Sequence, residues 1–253
     1  RQATGDDDAL LALWPTVERA VGAVLAAQAP GGEVGWAVDP HGRLDPTALL
    51  TGAASTYHGL RCAVAVAEHL DEPQPEWELA LARLVDALRT RAGAFADKRR
   101  FSMDWYYPVL GGALRGEAGR ARIDGRWDEF VVPGLGARCV ADHPWVTGAE
   151  TCELALAVHA LGRHDAATAL VADMQHLRED DGSYWTGLVY ADGERWPVER
   201  STWTAAAVVL AVDALAGEHP RADLFPGTAL PHGAEEISPS GAATAATPDP
   251  GSR

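Results

Sequence analysis

The sequence predicts an all-α fold, an α/α toroid of helical hairpins that is incomplete at its N-terminus and carries one small β-hairpin. Three observations predict it. Alanine, leucine and valine recur at three- and four-residue intervals over 9–28, 46–70, 76–91, 147–162, 165–178 and 202–216, the period of helices that bury a face. Three of these segments open alike, as "TGAASTYHGLRCAVAVA", "TGAETCELALAVHAL" and "ERSTWTAAAVVLAV". Their small residues allow the close helix approach an inner ring requires, and their polar openings would ring one mouth. Finally, the loops "APGGEVGW" and "EDDGSYW" each place a glycine turn shortly before a tryptophan, as an internal repeat would.

The elements follow in order. Asp6 to Asp8 lead into the first helix, where acids suit the helix dipole. The stretch "SMDWYYPVLGG" is expected to stay extended, because the ring of Pro108 disfavours helix in the residue before it. Thr147 and Gly148 open the helix over 147–162, with a Thr147–Glu150 capping box as one use of the T-x-x-E spacing. "SYWTGLVYADGERWPV" is the one stretch that reads as strand, a hairpin turning at Asp192 and Gly193. Ser201 and Thr202 cap the last helix, which closes a domain over 1–217. Residues 218–253, ending "PSGAATAATPDPGSR", hold too little apolar surface to offset their ordering entropy and are expected to form a disordered tail.

Composition narrows the function. A formal charge of −15 over 253 residues argues against nucleic acid or an anionic membrane surface, which need a concentrated basic patch, and Lys98, Arg99 and Arg100 are too few to supply one. No segment is read as a bilayer span or signal peptide, so no integral membrane segment is expected. Cys62, Cys139 and Cys152 lack CxxC spacing and are read as reduced thiols in a cytoplasmic protein.

Three carboxylates are the candidate catalytic groups, two of them set among aromatic rings. Asp104 precedes Trp105, Tyr106 and Tyr107; partial burial would raise its pKa for acid–base work, or it caps a helix. Glu150 shares a helix face with Glu153, a like-charge pair tolerated when solvated or lining a polar cavity. Glu199 lies between Trp196 and Trp203. Indole faces stack on the C–H surfaces of a pyranose while a carboxylate handles the glycosidic oxygen, so Tyr57, His58, Trp145 and Trp185 join these aromatic residues and Glu153 as candidate substrate contacts. Cys139, Asp142, His143, Cys152 and His159 are poorly spaced for zinc, and no metal or cofactor is expected. "GDDDAL" suits a surface helix start, and no phosphate loop, G-x-S-x-G elbow or D-D-x-x-D pair is present.

The stretches "FSMDWYYPVLGGALRG", "GLGARCVADHPWVTGAETCELAL", "MQHLREDDGSYWTG" and "WPVERSTWTAAAVVLA" resemble an actinobacterial family known as prenyltransferases, over roughly residues 5–217. That resemblance implies the toroid of terpene cyclases and protein prenyltransferases, with further hairpins upstream that this chain lacks. "DALLALWPTVERAVGAVLAAQAPGGEVGWA" is equally similar to bacterial six-hairpin glycosidases. Three functions are therefore expected to compete. The first is an enzyme cleaving a glycosidic bond of a carbohydrate with two carboxylates. The second is a prenyl-transferring or cyclising enzyme on an isoprenoid, whose carbocations the rings would stabilise. The third is a non-catalytic binding toroid. The carboxylates, and the lack of a diphosphate site, favour the carbohydrate.

Overall fold

Helices form where the three- and four-residue period places them. A computed structural model describes residues 5–231. Helix α1 spans Asp7–Ala27, α2 Leu50–His69, α3 Pro75–Thr90, α4 Ser102–Leu110, α5 Gly116–Asp124 and α6 Trp127–Phe130. Three more follow: α7 (Gly148–His159), α8 (His164–Asp173) and α9 (Thr202–Ala216). Helices α2, α4, α7 and α9 form a row in which each packs on the next, and α1, α3, α5 and α8 back them. Small residues set the spacing within the row. A Cβ on Gly111 would lie 2.3 Å from the carbonyl oxygen of Ala54, and one on Gly148 would lie 2.6 Å from Cγ2 of Thr204.

The fold is mixed, which corrects the expected all-α toroid. Among the described residues the helices are joined by a five-stranded antiparallel sheet of β1 (Val131–Val132), β2 (Gly136–Arg138), β3 (Trp145–Thr147), β4 (Gly187–Val189) and β5 (Glu194–Arg195), in that order. The β4–β5 hairpin turns where expected, pairing Val189 with Glu194. The other three strands escape the sequence because two or three residues are too few for an alternating pattern to register. The sheet packs on α7 and α8 through β2, and β3 runs directly into α7.

Three further expectations change. "SMDWYYPVL" is helical through Pro108. A proline there leaves the carbonyl four residues earlier without its helical donor, and the guanidinium of Arg122 supplies one instead, bonding the backbone oxygens of Asp104 at 2.6 Å and Trp105 at 2.7 Å. Part of the expected tail is packed structure. Arg61, fully buried, donates to the carbonyls of Gly227, Leu230 and Pro231, and Arg115 to those of Phe225 and Pro226. The rest of that tail, 232–253, lies outside the described residues. Finally, α1 is long and apolar enough to cross a membrane, with a mean hydropathy of 1.4 over its best window. Leucines and valines on both sides carry that average across Glu18 and Arg19, where a count of unbroken apolar residues stops. Here α1 lies along α2 and α3, with Asp7 bonded to His69 at 3.0 Å.

Candidate active site

The starts of the four row helices are tied to one another. Thr51, in the first turn of α2, donates its hydroxyl to Asp104 of α4 at 3.0 Å. The amide of Ser102, the first residue of α4, donates to the carbonyl of Cys139 at 3.0 Å, and the Cys139 thiol hydrogen-bonds Glu150 in the first turn of α7. Gly148 of α7 abuts Thr204 of α9. These links place the four helix starts at one end, so Asp104 and Glu150, far apart in sequence, belong to one mouth.

Below that mouth, a cavity of about 360 Å³ opens between α2, α4, α7 and α9. Its wall combines Ser55 and His58 of α2, Tyr107, Leu110 and Gly111 at the end of α4, Glu153 and Leu156 of α7, and Trp203, Ala206, Ala207 and Leu210 of α9, with Phe225 closing one side. Glu153 is the acid of this wall. The phenol of Tyr106 donates to its Oε2 at 2.6 Å and that of Tyr107 to Oε1 at 3.1 Å. Burial nevertheless dominates, aided by the nearby Glu150, and pushes the Glu153 carboxyl up to about 7. The same burial, with the charge of Glu153, lifts both phenols above their ordinary range. The site therefore presents a carboxyl that is about half protonated at neutral pH, one helical turn below Glu150.

Asp104 is 5% exposed, and burial raises its pKa against the opposing pull of Thr51 and Arg122. It does not cap α4, whose N-cap is Phe101. The Thr147–Glu150 capping box is also absent: the Thr147 side chain makes no cap bond, which leaves the Glu150 carboxylate to the mouth. His58 stacks on Phe225 at 5.7 Å, and burial, with Arg61 and Arg115 nearby, lowers its pKa to about 4.

Other candidates stand apart from the cavity. Tyr57 and Trp105 are core residues, 0% and 1% exposed, with Trp105 stacked on Phe130 and bonded to the carbonyl of Arg122. Trp185 hydrogen-bonds Glu179 and carries the Arg200 guanidinium on its ring. Glu199 is exposed on the rim, where Thr186 approaches it at 3.4 Å. Trp145 and Trp196 pair edge to face nearby. The arginines that could have neutralised the acids are engaged elsewhere: Arg200 with Asp181, and Arg138 with Tyr190 and the carbonyl of Glu129. Among the described residues no group of three or more His, Cys, Asp or Glu is placed to hold a metal ion. Cys152 is fully buried, with its thiol pushed up to about 12, and His159 pairs with His164.

No family model matches the chain. Among curated proteins, it is 59% identical over 232 residues to the MMP endo-(1,4)-3-O-methyl-alpha-D-mannosidase of Mycolicibacterium hassiacum. The match takes in 92% of this chain, and the chain spans 64% of that protein's length.

Sequence reasoning missed several residues of the site. Thr51 carried a usable signal, because "TGAAS" and "TGAET" repeat the same helix opening and set Thr51 against Thr147. Leu110, Leu156 and Leu210 carried none, since their facing depends on how the helices rotate about the cavity. Phe225 lay in a segment whose composition reads as tail.

Proposed function

We propose that this protein hydrolyses an internal α-1,4 bond in a chain of 3-O-methylated mannose. The observation that carries the reading is the 59% identity, over nearly the whole chain, to an endo-acting 3-O-methylmannosidase. The site chemistry supports it. Glu153, whose raised pKa keeps about half of it protonated at neutral pH, is the donor: as the bond between the anomeric carbon and the glycosidic oxygen breaks, its proton passes to the departing oxygen. Water adds to the anomeric carbon, and its proton goes to a carboxylate at the mouth, Glu150 in this reading. Asp104, held by Thr51, positions the mouth or shares the base role. Leu156, Ala207 and Trp203 give the sugar apolar surface to lie on, which suits a ring carrying a methyl ether in place of a hydroxyl.

The test measures new reducing ends released from 3-O-methylated α-1,4-mannan. Wild type should cleave it, and Glu153→Gln should lose at least about 10²-fold in kcat, the lower range for a general acid, while keeping its circular dichroism spectrum. Full activity in that variant would remove Glu153 from the chemistry. The apolar lining of the cavity also fits an isoprenoid. Turnover of an isoprenoid diphosphate, with none of the mannan, would decide for the prenyl-transferring reading.

A further inference from the structure

Endo action needs more support than the cavity provides. At about 360 Å³ it is near the lower end of small-molecule pockets, which run to roughly 1,000 Å³, and a chain cleaved internally must continue out of it on both sides. The segment joining β5 to α9 offers a surface at the rim. Trp196 is 54% exposed there. The Trp145 ring meets it edge to face, 4.7 Å between centroids and 80° between planes, and the Trp145 indole N–H donates to the Trp196 carbonyl at 2.8 Å. The Trp196 amide is fixed to the carbonyl of Gly187 at 3.2 Å. The segment is anchored to the mouth, since Thr186 donates its amide to the Glu199 carbonyl and accepts the amide of Gly148 at the start of α7, both at 3.1 Å.

An exposed indole held by a second ring is a preformed platform, with little ordering entropy left to lose on binding. We propose that the Trp145–Trp196 pair is a distal sugar subsite that carries the methylated mannan chain as it leaves the catalytic mouth. The inference rests on the hydrolytic reading above for the identity of the chain. Methylation at O3 converts a hydroxyl donor into apolar surface, so such a sugar presents a face that an indole covers well and loses no hydrogen bond by lying on it.

The experiment compares kcat/KM on long chains of 3-O-methylated α-1,4-mannan with that on the shortest fragment the enzyme cleaves. In Trp196→Ala the ratio of long to short should fall about tenfold, equivalent to about 1.4 kcal/mol of lost stacking. Trp196→Phe should recover part of it. A merely structural role would lower both substrates together, and a constant ratio overturns the proposal. Binding of the long chain, followed by retardation in a gel containing the mannan, reads the platform without catalysis. Wild type should be retarded and Trp196→Ala much less so, and equal migration of the two overturns the subsite. If wild type is retarded but cleaves nothing, the hydrolytic reading fails while the subsite stands.

Discussion

Glu153 shows how one buried carboxyl ties chemistry to stability. Its neighbours act in opposite directions: the phenols of Tyr106 and Tyr107 favour the ionised form, whereas burial and Glu150 favour the proton, and burial is the largest of these. The folded pKa of about 7 stands above the ordinary 4.5. Between those values the folded chain holds a proton that the unfolded chain has lost. Glu153 therefore leaves stability intact below about pH 4.5, costs progressively more as pH rises through 7, and costs a constant amount above it, on the order of 3 kcal/mol. Glu153→Gln should accordingly match wild type in thermal stability near pH 4.5 and exceed it at pH 8. Unfolding curves across that range check this, and a gap that does not change with pH would show that the carboxyl titrates normally. Activity should fall on the alkaline side of the same pKa, because the donor must keep its proton.

At the scale of elements, two connections do more than join helices. The sheet binds the starts of α7 and α9 and carries the Trp145–Trp196 pair, so strands of two or three residues position a rim that helices alone would leave open. The segment after α9 crosses back to α2 and α4, where Arg61 and Arg115 grip its carbonyls and Phe225 covers His58. Hydrogen bonds from a charged donor contribute roughly 1.5–3 kcal/mol. Deleting residues 219–253 should therefore lower stability by about 2 kcal/mol or more, some 4–8 °C in Tm for a domain of this size. Deleting only 232–253 spares every one of these contacts. Melting curves of the two truncations compare them, and equal Tm values would mean that the grip of Arg61 is not stabilising.

The molecule as a whole carries 36 acidic side chains against 21 lysines and arginines, and its net charge of −15 makes self-repulsion a standing cost. Its visible ion pairs, such as Arg99 with Asp97 and Arg100 with Asp142, are exposed and short-ranged. Exposed pairs contribute about 0–1 kcal/mol each, so salt should relieve more repulsion than attraction. Raising ionic strength from roughly 0.01 M to 0.15 M shortens the Debye length from about 30 Å to about 8 Å. Tm should then rise by about 2–4 °C, the shift of about 1 kcal/mol in a chain of this length. A fall in Tm would show that the ion pairs outweigh the excess charge.

The sequence by itself determined the long helices, the β4–β5 hairpin and the grouping of polar helix openings, because each is written as a period or a turn within a few neighbouring residues. It also drew attention to Asp104 by setting it beside rings, and to Glu150 and Glu153 by placing them on one helix face. Tertiary structure alone decided their environments. Glu153 became the proton-holding acid because its burial between helices outweighs the phenols of Tyr106 and Tyr107, which come to it from another helix and favour the ionised form. Glu199, equally well flanked by tryptophans in sequence, stays in solvent on the rim. Pro108 was compatible with helix because Arg122, fourteen residues later, satisfies the carbonyl that the proline leaves free. Burial and long-range hydrogen bonding depend on which surfaces meet, and no local spacing encodes that meeting.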